Sequence, residues 1–456
     1  MAILTSGLVI SKAGLLGASI VLLMAPLVFL AYAIMRNPAI AIWLGLAASF
    51  LTSGIARYIG GPWGLIIDIL LVFTWVALIL SKKTHWYRLK NDVFILSGLW
   101  FLYLLFEVFN PNSNGLEAWF YAMRGIGFYQ FLAIGLVLVI IRTQAQVNIY
   151  FHLLIALSLL GTFWGLKQQL GYLDFAENHW LYAENHHEEH ILHGVLRVFS
   201  FFSDAGQFGA SQAMISLLCF ILFLSPVSKI EKLYFLAAAL ISFIGFGISG
   251  TRGALAVPFV GGVVYLLINK NFKLIVAGFI AIALVFYILK STFLFQGVEQ
   301  VRRMRSALDP ENKSLAVRLD NQKTFGKYLR NKPFGAGIGT AGYWGARFNP
   351  TSLMANTATD SWYVKIWAET GVVGICLHMA FLGFILGKGK VVIDGIRNVR
   401  LKAQAIALYA SLAGILFSSY GNQIFGQLPT GIIMSMSIPI IFIASKIDDE
   451  LKTINS

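Results

Sequence analysis

The sequence predicts an all-α, polytopic integral membrane protein with about twelve or thirteen transmembrane helices. Hydrophobic residues make up 57% of the 456 residues and charged residues only 12%, whereas an ordinary soluble domain is roughly 25% charged. Apolar runs of about 20 residues, the length that spans a ~30 Å hydrocarbon core, recur along the whole chain. We therefore expect residues 1–456 to form a single integral membrane domain.

The connections between the apolar runs differ in charge. The segments 81–91 and 387–402 carry four and five basic residues, which places them in the cytoplasm by the positive-inside rule. Two long loops then fall on the outer side, a His-rich loop at 167–200 and a basic loop at 290–361, which we expect to contain short helices. The candidate spans are 14–35, 38–54, 63–80, 92–109, 125–141, 149–166, 205–224, 233–249, 254–268, 274–289, 362–386, 403–420 and 431–445.

One arginine lies inside an otherwise apolar stretch, FIGFGISGTRGALAVPFVGGVVYLL. If this stretch were a single span, Arg252 would lie near the bilayer centre, at a cost of at least ~2.5 kcal/mol. Gly250 and Gly253 flank the Thr-Arg pair, and glycines at these positions make a tight turn easy. The sequence therefore predicts two helices joined by a turn at the outer membrane surface, with Arg252 on the turn.

The loop 290–361 is strongly basic, with eleven basic side chains and five acidic ones. Long loops cross the membrane whatever their charge. The excess positive charge would attract an anionic ligand, or, as the alternative, the loop is solvated beside acidic lipid headgroups. Apolar residues recur with loose helical spacing between 315 and 329. On such a helix Arg318 and Gln322 would share one face, with Lys323 at its edge.

Three segments, taken in order, resemble the bacterial O-antigen ligase and polymerase superfamily. They are SGTRGALA, VRLDNQKTFGKYLRNKPFGAGIGTAGYW and TATDSWYVKIWAETGVVG, and the similarity extends over roughly residues 197–375. Members of this superfamily share an outward Ser/Thr-Arg-Gly turn between two spans and an arginine-containing helix. They also share a Pro-Phe-Gly-x-Gly-x-Gly segment and a span that continues to Glu-x-Gly.

The resemblance implies a GT-C-like glycosyltransferase of the bacterial inner (plasma) membrane, with its active site on the periplasmic face. Such enzymes transfer a glycan from an undecaprenyl-diphosphate-linked donor to an acceptor hydroxyl, without nucleotide sugar, cofactor or metal. The acceptor is a second lipid-linked repeat in polymerases, lipid A-core in ligases and a protein serine in related oligosaccharyltransferases. Arg252 and Arg318 would then bind the pyrophosphate, because guanidinium groups meet phosphate oxygens two at a time and stabilise charge on a leaving group.

Asp360 is the third catalytic candidate, and it stands where the family pattern differs. Ligases of this superfamily usually carry His-Asn at the start of the span after the loop, whereas this chain has Thr359-Asp360-Ser361. A carboxylate can accept a proton as an imidazole can, so Asp360 would be the general base or an acceptor anchor. The alternative is that Asp360 only caps the helix that begins at Ser361. The difference favours a polymerase of repeat units over a ligase.

Three further basic residues are candidate contacts for the pyrophosphate or the glycan: Arg197, Lys323 and Arg347. Arg197 opens RVFSFFSDAGQFGASQA just before a span. For this residue the alternative is a structural ion pair with Asp204.

The run HWLYAENHHEEHILH is rich in histidine. On one helix, His186, His190 and His193 would share a face, a spacing that can bind zinc. The run is not an HExxH motif, because Ile191 occupies the position of the second histidine. A pH-sensitive or sugar-contacting loop and a solvated amphipathic surface helix are the alternatives, and we expect no metal in the reaction.

Two other function classes are also compatible with the sequence. A transporter or flippase would also have a dozen spans, but no internal repeat is visible and the distinctive residues gather on one side. A non-catalytic scaffold for envelope assembly is the third class. Nucleic acid is not an expected partner, because the basic residues lie in membrane-flanking loops. The expected partners are the lipid-linked oligosaccharide, an acceptor glycan or lipid, and membrane lipids. We expect GAGIG at 335–339 to be a flexible turn near the active site.

Overall fold

The structure is a computed structural model that describes residues 26–455, apart from 193, 270, 295, 307 and 309–312. In this part of the chain, ten helices are long and apolar enough to cross a membrane, and three shorter apolar helices accompany them. Each of the thirteen predicted spans overlaps one of these helices, although the start of the first span lies outside the described residues. The prediction of an all-α, multi-pass membrane protein is confirmed.

The helices are numbered in chain order, and one short hairpin of strands β1 (Ile191–Leu192) and β2 (Val195–Leu196) pairs antiparallel. The helices are α1 (Pro26–Arg36), α2 (Ala39–Tyr58), α3 (Leu65–Leu80), α4 (Asp92–Phe106), α5 (Leu116–Met123), α6 (Tyr129–Ile140), α7 (Gln144–Gln169), α8 (Phe175–Asn178), α9 (His187–His190), α10 (Ala205–Leu224), α11 (Lys229–Ser249), α12 (Ala256–Ile268), α13 (Phe272–Ser291), α14 (Glu299–Ser306), α15 (Lys313–Leu329), α16 (Gly342–Phe348), α17 (Leu353–Asn356), α18 (Trp362–Gly395), α19 (Val399–Ser418) and α20 (Thr430–Asn455).

Helices α10, α19 and α20 form the centre of the bundle, where most of their residues are buried. Such helices are apolar on all sides because neighbours cover every face. Helix α12 packs closely on α19 through glycines: a Cβ at Gly261 would lie 2.7 Å from the Ala410 carbonyl oxygen, and a Cβ at Gly414 would lie 2.5 Å from the Val257 carbonyl oxygen. Small residues allow this approach of helices in a membrane. The close packing fixes the start of α12 against the end of α19.

Helix ends that carry the predicted site residues gather on one face, named here the arginine face. The Thr251 hydroxyl donates to the Ala205 carbonyl at 2.7 Å, which joins the α11–α12 turn to the start of α10. The Ser418 hydroxyl donates to the Gly253 carbonyl at 2.8 Å, which joins the same turn to the end of α19. The loop between α13 and α18, which contains α14 to α17, lies on this face as well.

The two connections predicted to be cytoplasmic lie together on the opposite face. Arg88, before α4, pairs with Glu450 near the end of α20 at 2.7 Å. The backbone amide of Arg397, before α19, donates to the Asp448 carboxylate at 3.0 Å. Both connections therefore contact the same end of α20, as alternating spans require.

Helix α18 is broken at Gly371, where φ is 67° and ψ is −168°. This backbone conformation is readily adopted only by glycine. A Cβ at Gly371 would also overlap the Pro333 carbonyl oxygen. That oxygen instead accepts a hydrogen bond from the Val373 amide at 3.2 Å. The break in the helix thus receives the segment that follows α15.

The glycine segment 335–339 packs into this break. The Gly337 amide donates to the Glu369 carbonyl at 2.9 Å, and the Glu369 carboxylate accepts from the Ala341 amide at 3.2 Å. Gly335, Gly337 and Gly339 all have positive φ, and a Cβ at any of them would lie within 3 Å of neighbouring atoms. The expectation of a flexible turn is therefore wrong, because close packing requires glycine at all three positions. Gly335 packs against Glu369 and Gly371 of α18, Gly337 against Ser113, and Gly339 against Ala118 of α5.

Candidate functional site

Arg252 lies on a turn between two helices, as predicted from its flanking glycines. Helix α11 ends at Ser249, and Gly250 follows in the left-handed conformation with φ of 58°. One turn of 3-10 helix from Arg252 to Leu255 then leads into α12. The Arg252 guanidinium is half-buried, and its Nη1 lies 3.3 Å from the Ser306 hydroxyl at the end of α14.

A second arginine, Arg303 on α14, lies over the same turn. A Cβ at Gly250 would lie 3.5 Å from Arg303 Nη1, an ordinary contact distance, so the guanidinium lies directly against the turn. Burial, followed by the positive charges of Arg197 and Arg252, lowers the pKa of Arg303 to about 10. The group is still charged at neutral pH, since arginine remains protonated there.

Arg197 completes this side of the site. Burial lowers the pKa of Arg197; the negative charge of Asp204 opposes this shift in part, and the positive charge of Arg252 adds a smaller lowering effect. In the described part of the chain, no carboxylate forms an ion pair with Arg197, Arg252 or Arg303. Half-buried positive charges that lack an anionic partner are costly, so these three side chains are suited to binding an anion.

Arg318 on α15 lies on the other side of the turn. It is close enough to Arg252 for the two positive charges to repel each other. Helix α15 is held against the first part of α18 by Phe325 and Leu329, which are buried together with Val364. We name the four side chains Arg197, Arg252, Arg303 and Arg318 the arginine cluster.

Asp360 faces Arg318 across a gap of 3.7 Å between its Oδ2 and Arg318 Nε. Its φ of 42° lies in the left-handed region, which is uncommon for a residue other than glycine. Ser361, the next residue, is the N-cap of α18, and no side chain caps that helix end. The alternative that Asp360 is only a helix cap is therefore wrong.

The His-rich loop holds Arg197 in place through its backbone. The Arg197 amide donates to the His190 carbonyl at 2.7 Å, and Arg197 Nη1 donates to the Glu189 carbonyl at 3.0 Å. Asp204 is used elsewhere, because its carboxylate caps α10 and accepts from the Gly206 amide at 2.6 Å. The alternative of a structural Arg197–Asp204 ion pair is wrong.

The predicted helix face of three histidines does not form. Helix α9 ends at His190, and the chain then extends into β1; His193 lies outside the described residues. His190 is buried among aromatic rings, with Trp180 and Phe199 at centroid distances of 5.1 and 5.3 Å, and its Nδ1 lies 3.0 Å from the His186 carbonyl. His190 is thus buried, whereas Glu188 and Glu189 on the same short helix are exposed. Among the residues that the structure describes, no group of three or more His, Cys, Asp or Glu is arranged to hold a metal ion.

Lys323 and Arg347, two of the predicted substrate contacts, have other neighbours. Lys323 Nζ lies 2.9 Å from the Asp320 carboxylate on the exposed face of α15. The Arg347 guanidinium lies 5.8 Å from the ring centroids of Tyr121 and Trp344. Their contacts in the structure do not bring either residue to the arginine cluster.

An apolar cavity of about 690 Å³ lies directly beside the arginine cluster. Its walls are α11, α12 and α13, and α14 covers it with Val301 and Met304. Residues on α14 thus face two different surroundings, because Met304 lines the cavity while the adjacent Arg303 approaches Gly250. The site combines cationic groups at a membrane-helix end with an apolar space of a size typical for ligand binding.

Comparison with known families confirms the resemblance seen in the motifs. Residues 237–379 match the family model described as O-antigen ligase. The matched segment includes three members of the arginine cluster and Asp360, whereas Arg197 lies outside it. A comparison with curated proteins finds none that matches the chain. Together with the helical bundle, the family match supports a membrane enzyme of O-antigen or other glycan assembly, with glycosyltransferase-type or ligase-type activity.

Proposed function

We propose that this protein transfers a glycan from an undecaprenyl-diphosphate-linked donor to an acceptor hydroxyl at the outer face of the bacterial inner membrane. Among the reactions of this class, we favour the polymerisation of O-antigen or exopolysaccharide repeat units. The observation that carries the proposal is the position of the arginine cluster, which lies beside an apolar cavity within the segment similar to O-antigen ligases. A lipid diphosphate has both the anionic group and the apolar chain that such a site accommodates.

The arginine cluster would bind the diphosphate of the donor. When the acceptor oxygen forms a bond to the anomeric carbon, the bond from that carbon to the diphosphate oxygen breaks and its electron pair leaves with the diphosphate. Guanidinium groups already in position stabilise this developing negative charge. They do so without a proton transfer to the leaving group, because arginine stays protonated and phosphate accepts its paired hydrogen bonds.

The cavity bounded by α11, α12, α13 and α14 would receive the first isoprenoid units of the lipid carrier. Helix α13 packs loosely and has no buried residues, so the cavity lies at the lipid-facing side of the bundle. The carrier would therefore enter from the bilayer, with its diphosphate held near α14. Burial of each CH₂ group contributes ~0.8 kcal/mol to such binding.

Asp360 would act as the general base. The acceptor hydroxyl loses its proton as the glycosidic bond forms, and a carboxylate within reach can take that proton. The 3.7 Å separation from Arg318 supports this role, because it places the carboxylate beside the proposed diphosphate site. The proton would leave with the next exchange of substrate.

Transfer to lipid A-core or to a protein serine is the alternative within the same reaction class. Asp360 in place of the usual His-Asn pair favours polymerisation as the reaction. The proposed donor site would be the same for a polymerase and for a ligase. A polysaccharide or lipid transporter is the alternative of another class. Against it stands the gathering of cationic groups at one end of the helices, since a transporter site is expected near the bilayer midplane.

The test is to incubate the purified protein with a lipid-diphosphate oligosaccharide and to determine product masses. Multiples of the repeat on lipid diphosphate are the expected result and indicate a polymerase. Glycan on added lipid A-core or on peptide would indicate a ligase or an oligosaccharyltransferase instead. If the mass of the donor stayed unchanged after incubation with each acceptor, and the protein moved the donor across a vesicle membrane, the protein would be a transporter and the proposal would be refuted.

A further inference from the structure

The connection between α19 and α20, residues 419–429, contacts the candidate site from outside the family-matched segment. It follows the Ser418 hydroxyl that binds the Gly253 carbonyl at 2.8 Å. A Cβ at Gly421 would lie 4.0 Å from Arg318 Nη1. This connection is therefore next to both the Arg252 turn and Arg318, although no motif in the sequence draws attention to it.

The same connection holds the chain on both sides of Asp360. Before it, the Gln423 side-chain amide donates to the hydroxyl of the buried Thr359. After it, the Trp362 amide donates to the Ser419 carbonyl at 2.9 Å. Of the two residues between these anchors, Asp360 is the one with the unusual φ of 42°.

A third contact fixes the segment from the side of α15. The Asn321 side-chain amide donates to the Ala358 carbonyl at 3.1 Å. Asn321 lies one helical turn after Arg318, so the two side chains lie on the same face of α15. A left-handed conformation at a non-glycine residue persists only where the surroundings determine it, and such residues concentrate at functional sites.

From these contacts we propose that Gln423 is a positioning residue, which holds Asp360 opposite Arg318 through its hydrogen bond to Thr359. The proposal rests on the proposed function, in which Asp360 is the base of glycan transfer. Gln423 itself does not contact substrate. Its effect is on the direction of the Asp360 carboxylate, and thus on the rate of the chemical step and not on donor binding.

The experiment compares variants of the full-length protein in glycan transfer from a lipid-diphosphate oligosaccharide. Gln423→Leu keeps the approximate size of the side chain and removes the donor, and Thr359→Val removes the acceptor. Each is expected to lower kcat roughly 10- to 100-fold, the effect of a displacement near 1 Å at a reacting group. The donor KM and the Kd for undecaprenyl diphosphate should stay unchanged, and Thr359→Ser should retain activity because it keeps the hydroxyl.

The matched control in the same connection is Gln427→Leu. Gln427 accepts a hydrogen bond from Gln207 at 2.9 Å and does not contact Thr359, so its loss should leave kcat near the wild-type value. In an Asp360→Asn background, Gln423→Leu should cause no further loss, since a misplaced base and an absent base are equivalent. A merely structural role for Gln423 would instead give an additional loss in that background.

The outcomes separate this inference from the proposed function. Wild-type kcat in Gln423→Leu, with an inactive Asp360→Asn protein, would overturn the positioning role while leaving Asp360 as the base. Wild-type kcat in Asp360→Asn would refute the base assignment itself. Unfolding temperatures of all variants, measured in the same detergent, distinguish loss of rate from loss of fold.

Discussion

Arg318 on α15 and Asp360 before α18 lie face to face, with 3.7 Å between Arg318 Nε and Asp360 Oδ2. Neither side chain is fully buried, since 34% of Arg318 and 42% of Asp360 remain exposed. A pair this open to solvent contributes little to stability. Its arrangement is better explained by a shared ligand, because one face of the pair is left accessible.

Arg252→Lys and Arg318→Lys should each reduce glycan transfer strongly without loss of expression. Lysine keeps the charge but loses the paired contact with phosphate oxygens. Removal of one transition-state donor typically lowers the rate ~10²- to 10³-fold. Initial rates of transfer at saturating donor measure the effect, and near-wild-type rates in both variants would refute the diphosphate assignment.

Arg303→Lys should lower the same rate at least ~10-fold, because Arg303 belongs to the cluster over the Arg252 turn. The matched control is Arg302→Lys on the same helix. Arg302 is exposed and pairs with Glu299 one turn earlier, so lysine in its place should leave the rate unchanged. Equal effects of the two substitutions would contradict a specific role for Arg303.

Arg303 also shows where prediction from the sequence reaches its limit. Arg252 was predictable because glycines flank it in an apolar run. Arg303 stands among three arginines in VRRMR, and spacing alone does not tell which of them enters the site. In the structure Arg302 pairs with Glu299, and Arg305 donates to the Thr292 and Leu294 carbonyls. Only contacts between distant segments make the distinction.

The glycine segment and the α19–α20 connection illustrate the same limit. The sequence indicates the helices well, because a span requires a long apolar run. It does not indicate that Gly371 breaks α18, since the break depends on the Pro333 carbonyl entering it. Likewise Gln423 has no motif around it, and its relation to Thr359 exists only in the folded bundle.

Gly247→Leu should weaken binding of isoprenyl diphosphates but not of a diphosphate that lacks the apolar chain. Gly247 lines the apolar cavity, and a Cβ there would have no atom within 4 Å, so leucine fits without strain. Displacement of even two CH₂ groups, at ~0.8 kcal/mol each, raises Kd roughly 10-fold. Binding of undecaprenyl diphosphate and of inorganic pyrophosphate would be measured by calorimetry. Gly383→Leu, at an open position on α18, is the control. A parallel loss with both ligands would argue against the cavity as the chain site.

His190 should make the protein less stable as pH falls from about 6.5 towards 4. Burial lowers the pKa of His190 to about 4, whereas an unfolded histidine has a pKa of ~6.5. Between these values the unfolded chain binds the additional proton, so stability decreases as pH falls and this histidine has no effect above that range. The charges of Arg57 and Arg197 disfavour the protonated form further, while Asp204 opposes them.

The measurement is the unfolding temperature in detergent at pH 7.5 and pH 5, for wild type and for His190→Asn. Asparagine can place an amide near the Nδ1 position and does not titrate. The wild type should lose roughly a few degrees more than the variant between the two pH values. Equal losses would contradict a titrating, buried His190.

Asp360→Asn gives the most direct test of the base. Asparagine keeps the shape of the side chain and tolerates positive φ at least as well as aspartate, so the backbone conformation at this position should persist. It cannot accept the proton of the acceptor hydroxyl. Turnover should therefore fall by ~10²- to 10⁴-fold, the usual contribution of a general base, while the Kd for the lipid-diphosphate donor stays near the wild-type value. Asp360→Ser would lose both the base and the side-chain contact with Arg318.

Asp360→His restores the residue that ligases of the superfamily usually carry at this position. An imidazole can take the proton only when it is neutral, so any recovered rate should increase with pH through the imidazole pKa of ~6.5. The pH dependence of kcat in the two variants thus reports whether a titrating group is needed at this position. If Asp360→Asn remained fully active, the arginine cluster alone would drive departure of the diphosphate, and the acceptor hydroxyl would lose its proton to solvent after the bond to the sugar has formed.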